Sequence, residues 1–335
     1  MTAPALVPAP TPNLNALRTL VAGDLVRVNQ VIADHGHSSI ALINDLTTHI
    51  VAAGGKRLRP SLTIAAARLC GYEGARHVKL AACVEFIHTA TLLHDDVVDA
   101  SDLRRGAATA NALWGNKTSV LVGDFLLSRA FQLMVADGSL DVLKILSDAA
   151  AIISAGEVHQ LMVSHDLAIT RQVYEEVISA KTAALFAAAC ELGAVVSDKP
   201  EWRAPLREYG QNLGMAFQVV DDALDYQASE ADIGKAIGDD FRDGKVTLPV
   251  IFAYARANEA ERSFWQGALE NGEALSADAL RRANELMVKH DAFSLTLAVA
   301  RDFAKAACAA LSVIPASATR QALIDAAHFA VDRSH

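Results

Sequence analysis

The residues best able to do chemistry are two runs of aspartate. The segment LLHDDVVDA at 92–100 places Asp95, Asp96 and Asp99, and VVDDALDYQ at 219–227 repeats the order with Asp221, Asp222 and Asp225. Each run closes a long apolar stretch. In a helix, Asp95 and Asp99 then project from one face, with Asp96 about 100° round the cylinder. Three like charges so close together repel, and at a helix C-terminus the macrodipole adds to the cost. A cation relieves both. Carboxylate oxygens are hard ligands suited to Mg2+ or Mn2+, which keep several waters and complete their shell with phosphate oxygens. Two solvated acidic helix ends are the competing reading, and the repeat of the pattern behind two apolar helices argues against it.

Basic residues supply places for the anion. Gly54-Gly55-Lys56-Arg57-Leu58-Arg59-Pro60 is a Gly-rich turn running into a proline at a helix start. Such a turn offers phosphate both backbone N–H groups and forked guanidinium donors, although alone it reads equally well as a solvated basic loop. Arg104 and Arg105 follow the first aspartate run. Lys235 and Lys245 follow the second, within GKAIGDDFRDGK, where Asp239 and Asp240 sit between them. Further polar residues interrupt apolar stretches: His88 and His94, the pair Lys181-Thr182, and Gln218 three residues before Asp221.

These residues need helices to hold them. Apolar residues recur at three- and four-residue spacing from Leu17 to Val331, and strand-like alternation is scarce, so the chain reads as all-α. The spacing predicts helices over 15–35, 38–52, 60–71, 76–99, 117–136, 139–164, 170–197, 201–227, 244–257, 276–289, 293–311 and 316–332. Composition hardly changes along the chain, which reads as a flexible Pro/Ala-rich lead-in over 1–14 and one domain over 15–335. Residues 267–277 are the one linker-like stretch in the second half.

With 30 Lys and Arg against 39 Asp and Glu, the net charge of −9 excludes a basic nucleic-acid module. Hydrophobic residues make up 52% of 335 positions, enough for a large core. The apolar stretches carry Lys79, Glu85, His88 or Glu191, so none reads as a membrane span of ~18 residues. No basic residue precedes an apolar core at the N-terminus, so a secretory signal is not expected. Cys70, Cys83, Cys190 and Cys308 lack metal-type spacing and read as reduced core residues in a cytoplasm. Met134, Met162, Met215 and Met287 read as core filler.

Taken together, GGKRLRP, FIHTATLLHDDVVDASDLRRG, the Lys181-Thr182 pair, GMAFQVVDDALDY and GKAIGDDFRDGKVTLP resemble the trans-polyprenyl diphosphate synthases, over roughly residues 15–333. The resemblance implies a helical bundle around a deep central cavity, with an isoprenoid-synthase fold and a homodimeric assembly. It implies Mg2+ (or Mn2+) held by Asp95, Asp99 and Asp221 on an allylic diphosphate (geranyl, farnesyl or geranylgeranyl), helped by Arg104, Lys181, Gln218 and Lys235. Lys56, Arg59, His88 and Arg105 would hold isopentenyl diphosphate, and Lys245 would also contact substrate. Arg57, Asp96, Asp222, Asp225 and Asp240 would act behind the ligands. The backbone carbonyl near Lys181, Thr182 and Gln218 would face a transient carbocation.

The implied function is a long-chain synthase making an octaprenyl or decaprenyl product for quinone side chains, with a shorter farnesyl or geranylgeranyl product as the alternative. Membrane contact would be at most peripheral, for product release. A terpene cyclase would replace the second aspartate run, a histidine-aspartate phosphohydrolase would need further His ligands, and an inactive subunit would not need both runs. The chain ends in Asp332-Arg333-Ser334-His335 without the aromatic and basic tail common in relatives, which leaves little basis for a C-terminal flap over the diphosphates.

Product length follows from the helix bearing the first run. Thr91, Ala90 and Ile87 precede Asp95 on a face looking down the cavity, at about 5.4 Å per turn. Ala90 and Thr91 are small, so the growing chain should pass them and stop at a deeper floor, for which Phe131 or Leu127 is the expectation.

Overall fold

The structure, a computed structural model, describes residues 13–52, 55–104, 106–227, 238–271 and 276–333. Most of the expected lead-in 1–14 lies outside these residues, as do Gly54, Arg105 and Lys235. The chain is all-α apart from one hairpin among the described residues. The helices are α1 (Asn15–Gly36), α2 (Ala41–Ala52), α3 (Leu58–Leu69) and α4 (Arg76–Val98), followed by the hairpin β1 (Leu103–Arg104) and β2 (Ala107–Ala108). Then come α5 (Ala110–Trp114), α6 (Asn116–Asp137), α7 (Leu140–Val163), α8 (Arg171–Ile178), a π-turn (Ser179–Ala183), α9 (Ala184–Val196) and α10 (Pro200–Gln227). The last are α11 (Asp239–Arg242), α12 (Leu248–Arg256), α13 (Glu259–Trp265), α14 (Ala277–Lys289), α15 (Ala292–Ala310) and α16 (Ala318–Asp332).

Local chemistry sets many of these ends. Ser139, Thr170, Ser276 and Ser317 each cap the following helix by accepting from a backbone N–H, and Asn258 with Glu261 closes a capping box on α13. Glycine at positive φ, as at Gly138 after α6, ends a helix where a side chain would be strained.

The core is arranged around α4, α9 and α10. Helix α9 is apolar on every side and buried along nearly its whole length, as befits a helix enclosed by others. It packs on α10, α3 and α7, while α4 packs on α6 and α10 on α15. Asp24 of α1 pins the N-terminal helices by accepting from Arg68 of α3 at 2.6 Å and pairing with His77 of α4 at 2.9 Å.

Three sequence expectations change. The stretch expected as one helix over 170–197 is broken by the π-turn, a distortion with no period of its own to read. Two glycines make room for it. A Cβ at Gly156 of α7 would fall 2.7 Å from Ala180 Cβ, and one at Gly214 of α10 would fall 2.6 Å from Ala183 Cα. The short helices α5, α11 and α13 are too brief to show a period. Finally, two helices, Asn116–Asp137 and Arg171–Val196, are long and apolar enough to cross a membrane by length and composition, although the second is 72% buried in the fold.

The cysteines are all free, with Cys70, Cys83 and Cys190 buried and Cys308 half-buried. Met134, Met215 and Met287 do fill the core, whereas Met162 is 78% exposed. It is one of several exposed apolar residues on α6 and α7, with Leu121, Val135, Leu140, Val158 and Leu161.

Candidate active site

The ends of α4 and α10 converge on a cavity of about 730 Å3. Asp95 and Asp99 reach it from α4, and Asp221, Asp222 and Asp225 from α10. Asp96, round the cylinder, does not: it is 4% exposed and accepts from Arg104 Nε at 2.7 Å. Arg104 is thereby held by the hairpin and still lines the cavity.

Facing these acids is a basic wall at the start of α3. Lys56 and Arg59 line the cavity with His88 of α4, whose Nε2 lies 3.1 Å from Arg59 Nη1. Arg57 fixes this wall. It adopts a left-handed backbone, with φ 45°, that is strained for a residue with a Cβ, and its guanidinium pairs with Glu85 of α4. The π-turn presents Lys181 and Thr182 to the same space. Lys181 Nζ bonds Glu157 Oε2 at 2.7 Å, Thr182 Oγ1 donates to Gln218 Oε1 at 2.7 Å, and Gln218 Nε2 donates to Asp222 Oδ1 at 2.7 Å.

Beyond α11, Lys245 crosses to the first acidic run. Its ammonium lies 3.0 Å from Asp99, 2.9 Å from Asp243 and 3.9 Å from Asp240. Asp240 lines the cavity and donates its backbone N–H to Asp225 Oδ2 at 3.2 Å.

The acids are held under electrostatic load. Burial, together with the charges of Glu157 and Asp99, pushes Asp95 up to about 7 against the pull of Lys181 and Arg104. Burial and the neighbouring Asp240 push Asp222 and Asp225 each up to about 8, with hydrogen bonds from Tyr174 and Gln218 pulling Asp222 the other way. Asp221 is also raised by burial, offset by Arg333. Against burial, which pulls it down, Asp240, Asp99 and Asp243 hold the Lys245 ammonium well above its ordinary range. This is the environment in which a bound cation is favoured, because it relieves repulsion that the fold has already built in. The donors are hard oxygens. Among the described residues no three His, Cys, Asp or Glu side chains lie close enough together to hold a metal ion by themselves. The set therefore fits a metal that takes one or two carboxylates and completes its shell with water and phosphate oxygens.

Among the chain-length residues, Thr91 lines the cavity, whereas Ile87 and Ala90 are fully buried beside it and are not among its walls. Phe131 is 38% exposed on α6 and lies outside the lining, so it does not floor the cavity of a single chain. Counting residues placed it on α6, but only packing decides which way that side of α6 faces.

Sequence reasoning missed three residues. Glu157 is the lone acid in the apolar run AAAIISAGEVHQ, a signal that was present. Tyr174 donates to Asp222 Oδ2 at 2.6 Å, and nothing in its local sequence marks it. Arg333 corrects the reading of the C-terminus: it lines the cavity, donating to Asp221 Oδ1 at 2.6 Å and to the Phe217 carbonyl at 2.8 Å.

Comparison with known proteins agrees with this geometry. Residues 40–287 match the polyprenyl synthetase family. The chain is 46% identical to the octaprenyl diphosphate synthase of Escherichia coli over 322 residues, covering 96% of this chain and 99% of the relative. Among solved structures it is similar to a polyprenyl synthase from Caulobacter crescentus, complexed with calcium and isoprenyl diphosphate. That match has a TM-score of 0.95 at 50% identity and covers 98% of this chain and 100% of the other. A decaprenyl diphosphate synthase from Rhodobacter capsulatus matches with a TM-score of 0.91 at 49% identity, covering 96% and 100%. The chain belongs to the polyprenyl synthetase family.

Proposed function

We propose that this member of the polyprenyl synthetase family is a long-chain trans-polyprenyl diphosphate synthase. It would add isopentenyl diphosphate units head to tail onto an allylic diphosphate, to an octaprenyl or decaprenyl length suited to quinone side chains. The observation that carries the reading is one cavity in which two carboxylate runs oppose a basic wall, an arrangement whose chemistry needs no nucleophilic side chain. Identity to the octaprenyl synthase over nearly the whole chain favours the long product over a farnesyl or geranylgeranyl one.

Asp95, Asp99 and Asp221 would hold Mg2+, or Mn2+, whose chemistry is to neutralise the departing diphosphate of the allylic substrate. Arg104 and Lys181 grip the same group. Lys56, Arg59 and His88 hold isopentenyl diphosphate, and Lys245 keeps the first acidic run in register with Asp240 and Asp243. Arg105 and Lys235 are assigned by sequence position to the isopentenyl and allylic diphosphates. As the allylic C–O bond breaks, its electron pair leaves with the diphosphate. The isopentenyl double bond supplies the electrons of the new C–C bond, and a proton is lost. Thr182 and Gln218 oxygens face the carbon that becomes positive, so catalysis is electrostatic preorganisation. Of the three α4 residues expected to set chain length, Thr91 is the one that lines the cavity, and it would govern how far the chain can extend along α4.

The several exposed apolar side chains on α6 and α7 support a homodimer, which would also cover Phe131. The enzyme would work in the cytoplasm, touching membrane only to release its product. The test is diphosphate release from isopentenyl and farnesyl diphosphates, with Mg2+ and with EDTA. Turnover only with the metal is expected, and metal-independent turnover or none overturns the reading.

A further inference from the structure

The chain of contacts behind Gln218 has a direction. Asp222 accepts on both oxygens: Oδ2 from the Tyr174 hydroxyl at 2.6 Å and Oδ1 from Gln218 Nε2 at 2.7 Å. With its NH2 committed to Asp222, the Gln218 amide must turn its carbonyl oxygen the other way, where it accepts from Thr182 Oγ1 at 2.7 Å. The Thr182 proton is thereby taken up, which leaves the lone pairs of that hydroxyl on the cavity side. The Gln218 and Thr182 dipoles thus both have their negative ends directed away from the Asp222 carboxylate. Reversing the amide would set its carbonyl oxygen against a carboxylate oxygen and its NH2 against the reacting centre.

Tyr174 anchors the far end. It is 4% exposed and packed on α10 among Ile178, Met215 and Val219, so its hydroxyl is held at one place. It projects from α8, while Asp222 and Gln218 sit one turn apart on α10 and Thr182 lies in the π-turn. Three elements thus meet through four side chains.

We propose that Tyr174 and Asp222 are positioning residues that fix the polarity of the Gln218 amide, so that oxygen lone pairs of Gln218 and Thr182 face the allylic carbon as it becomes cationic. The proposal rests on the synthase reading above. Interactions realised only as charge develops act on kcat and leave ground-state binding alone.

The experiment is a kinetic cycle on the full-length protein with Mg2+, isopentenyl diphosphate and farnesyl diphosphate, using Tyr174→Phe, Thr182→Val and the pair. Tyr174→Phe should lower kcat about tenfold, with KM for both diphosphates within about twofold and a melting temperature within a few degrees of wild type. Because the phenol acts through the series ending at Thr182, the double variant should be no more than about twofold slower than Thr182→Val. Wild-type kcat in Tyr174→Phe, a rise in KM at constant kcat, or losses that multiply in the double variant each overturn the proposal. Should the phenylalanine variant melt early, Asp222→Asn is read the same way, and an unchanged kcat there overturns it as well. A wild-type protein with no turnover overturns the synthase reading and this proposal with it, whereas a fully active Tyr174→Phe overturns this proposal alone.

Discussion

Arg333 closes the cavity from the far end of the chain by donating to Asp221, 2.6 Å away. It stands one residue past α16, its guanidinium carbon 3.8 Å from the centre of the Phe217 ring, and its side chain is only 6% exposed. One side chain so placed neutralises the Asp221 carboxylate and stacks on the ring beneath it, two roles a lysine fills less well. Lys56, across the cavity, lies 6.0 Å over Phe329 of the same last helix. The C-terminal helix is therefore part of the site.

Replacing Arg333 by Ala should lower kcat/KM for the allylic diphosphate at least ~10-fold, because Asp221 loses the cation paired with it at the cavity. Arg333→Lys should recover part of the loss. Steady-state kinetics with each substrate varied in turn checks this, and an unchanged Ala variant would remove Arg333 from the working site.

Lys245 joins the two acidic regions, so Lys245→Met should be destabilising by ~3 kcal/mol, the cost of leaving buried like charges without their partner. Adding Mg2+ should restore part of the lost melting temperature, more than it stabilises wild type. Equal Mg2+ shifts in the two proteins would mean that Lys245 does not stand between carboxylates that also see the metal.

Acid sensitivity has a defined source in Asp24. Burial alone would raise this carboxyl, but hydrogen bonds from His77 and Arg68 win and bring it down from 3.8 to about 2. Its folded value lies below its unfolded one, so its contribution is complete above pH ~4 and is lost as pH falls towards ~2. The amount is about 2 kcal/mol. Denaturant melts of wild type and Asp24→Asn at pH 5 and pH 2.5 should therefore converge at the lower pH, and a constant gap between them would contradict the assignment.

Chain length should respond at Thr91. A Phe there projects into the cavity, so Thr91→Phe should stay active and release farnesyl- to geranylgeranyl-sized products, read by chromatography of the dephosphorylated lipids. Phe131→Ala, on the exposed side of α6, should keep the wild-type length in a single-chain ruler. If Phe131→Ala lengthens the product while Thr91→Phe leaves it unchanged, the ruler runs through the subunit interface and not through this cavity.

Much of the site was legible in the residues themselves. Paired Asp-Asp-x-x-Asp runs imply a cation by charge alone, and i, i+4 spacing already places Asp95 and Asp99 on one face with Asp96 turned away, as the structure has them. What stayed hidden depends on contacts between distant segments. Tyr174 and Asp222 are brought together by the packing of α8 on α10. Arg333 reaches Asp221 because α16 ends beside α10. The π-turn that aims Lys181 and Thr182 is permitted by Gly156 and Gly214, small residues on two other helices. Periodicity reports which residues share a face of one helix, not which helix that face meets, and for the same reason Phe131 was misplaced.

If this cavity builds a long all-trans chain, the mass of the lipid made from farnesyl and isopentenyl diphosphates must show it. After extraction and dephosphorylation, an octaprenyl or decaprenyl alcohol is expected as the main species. A main species of farnesyl or geranylgeranyl size, or no elongated lipid at all, would contradict it.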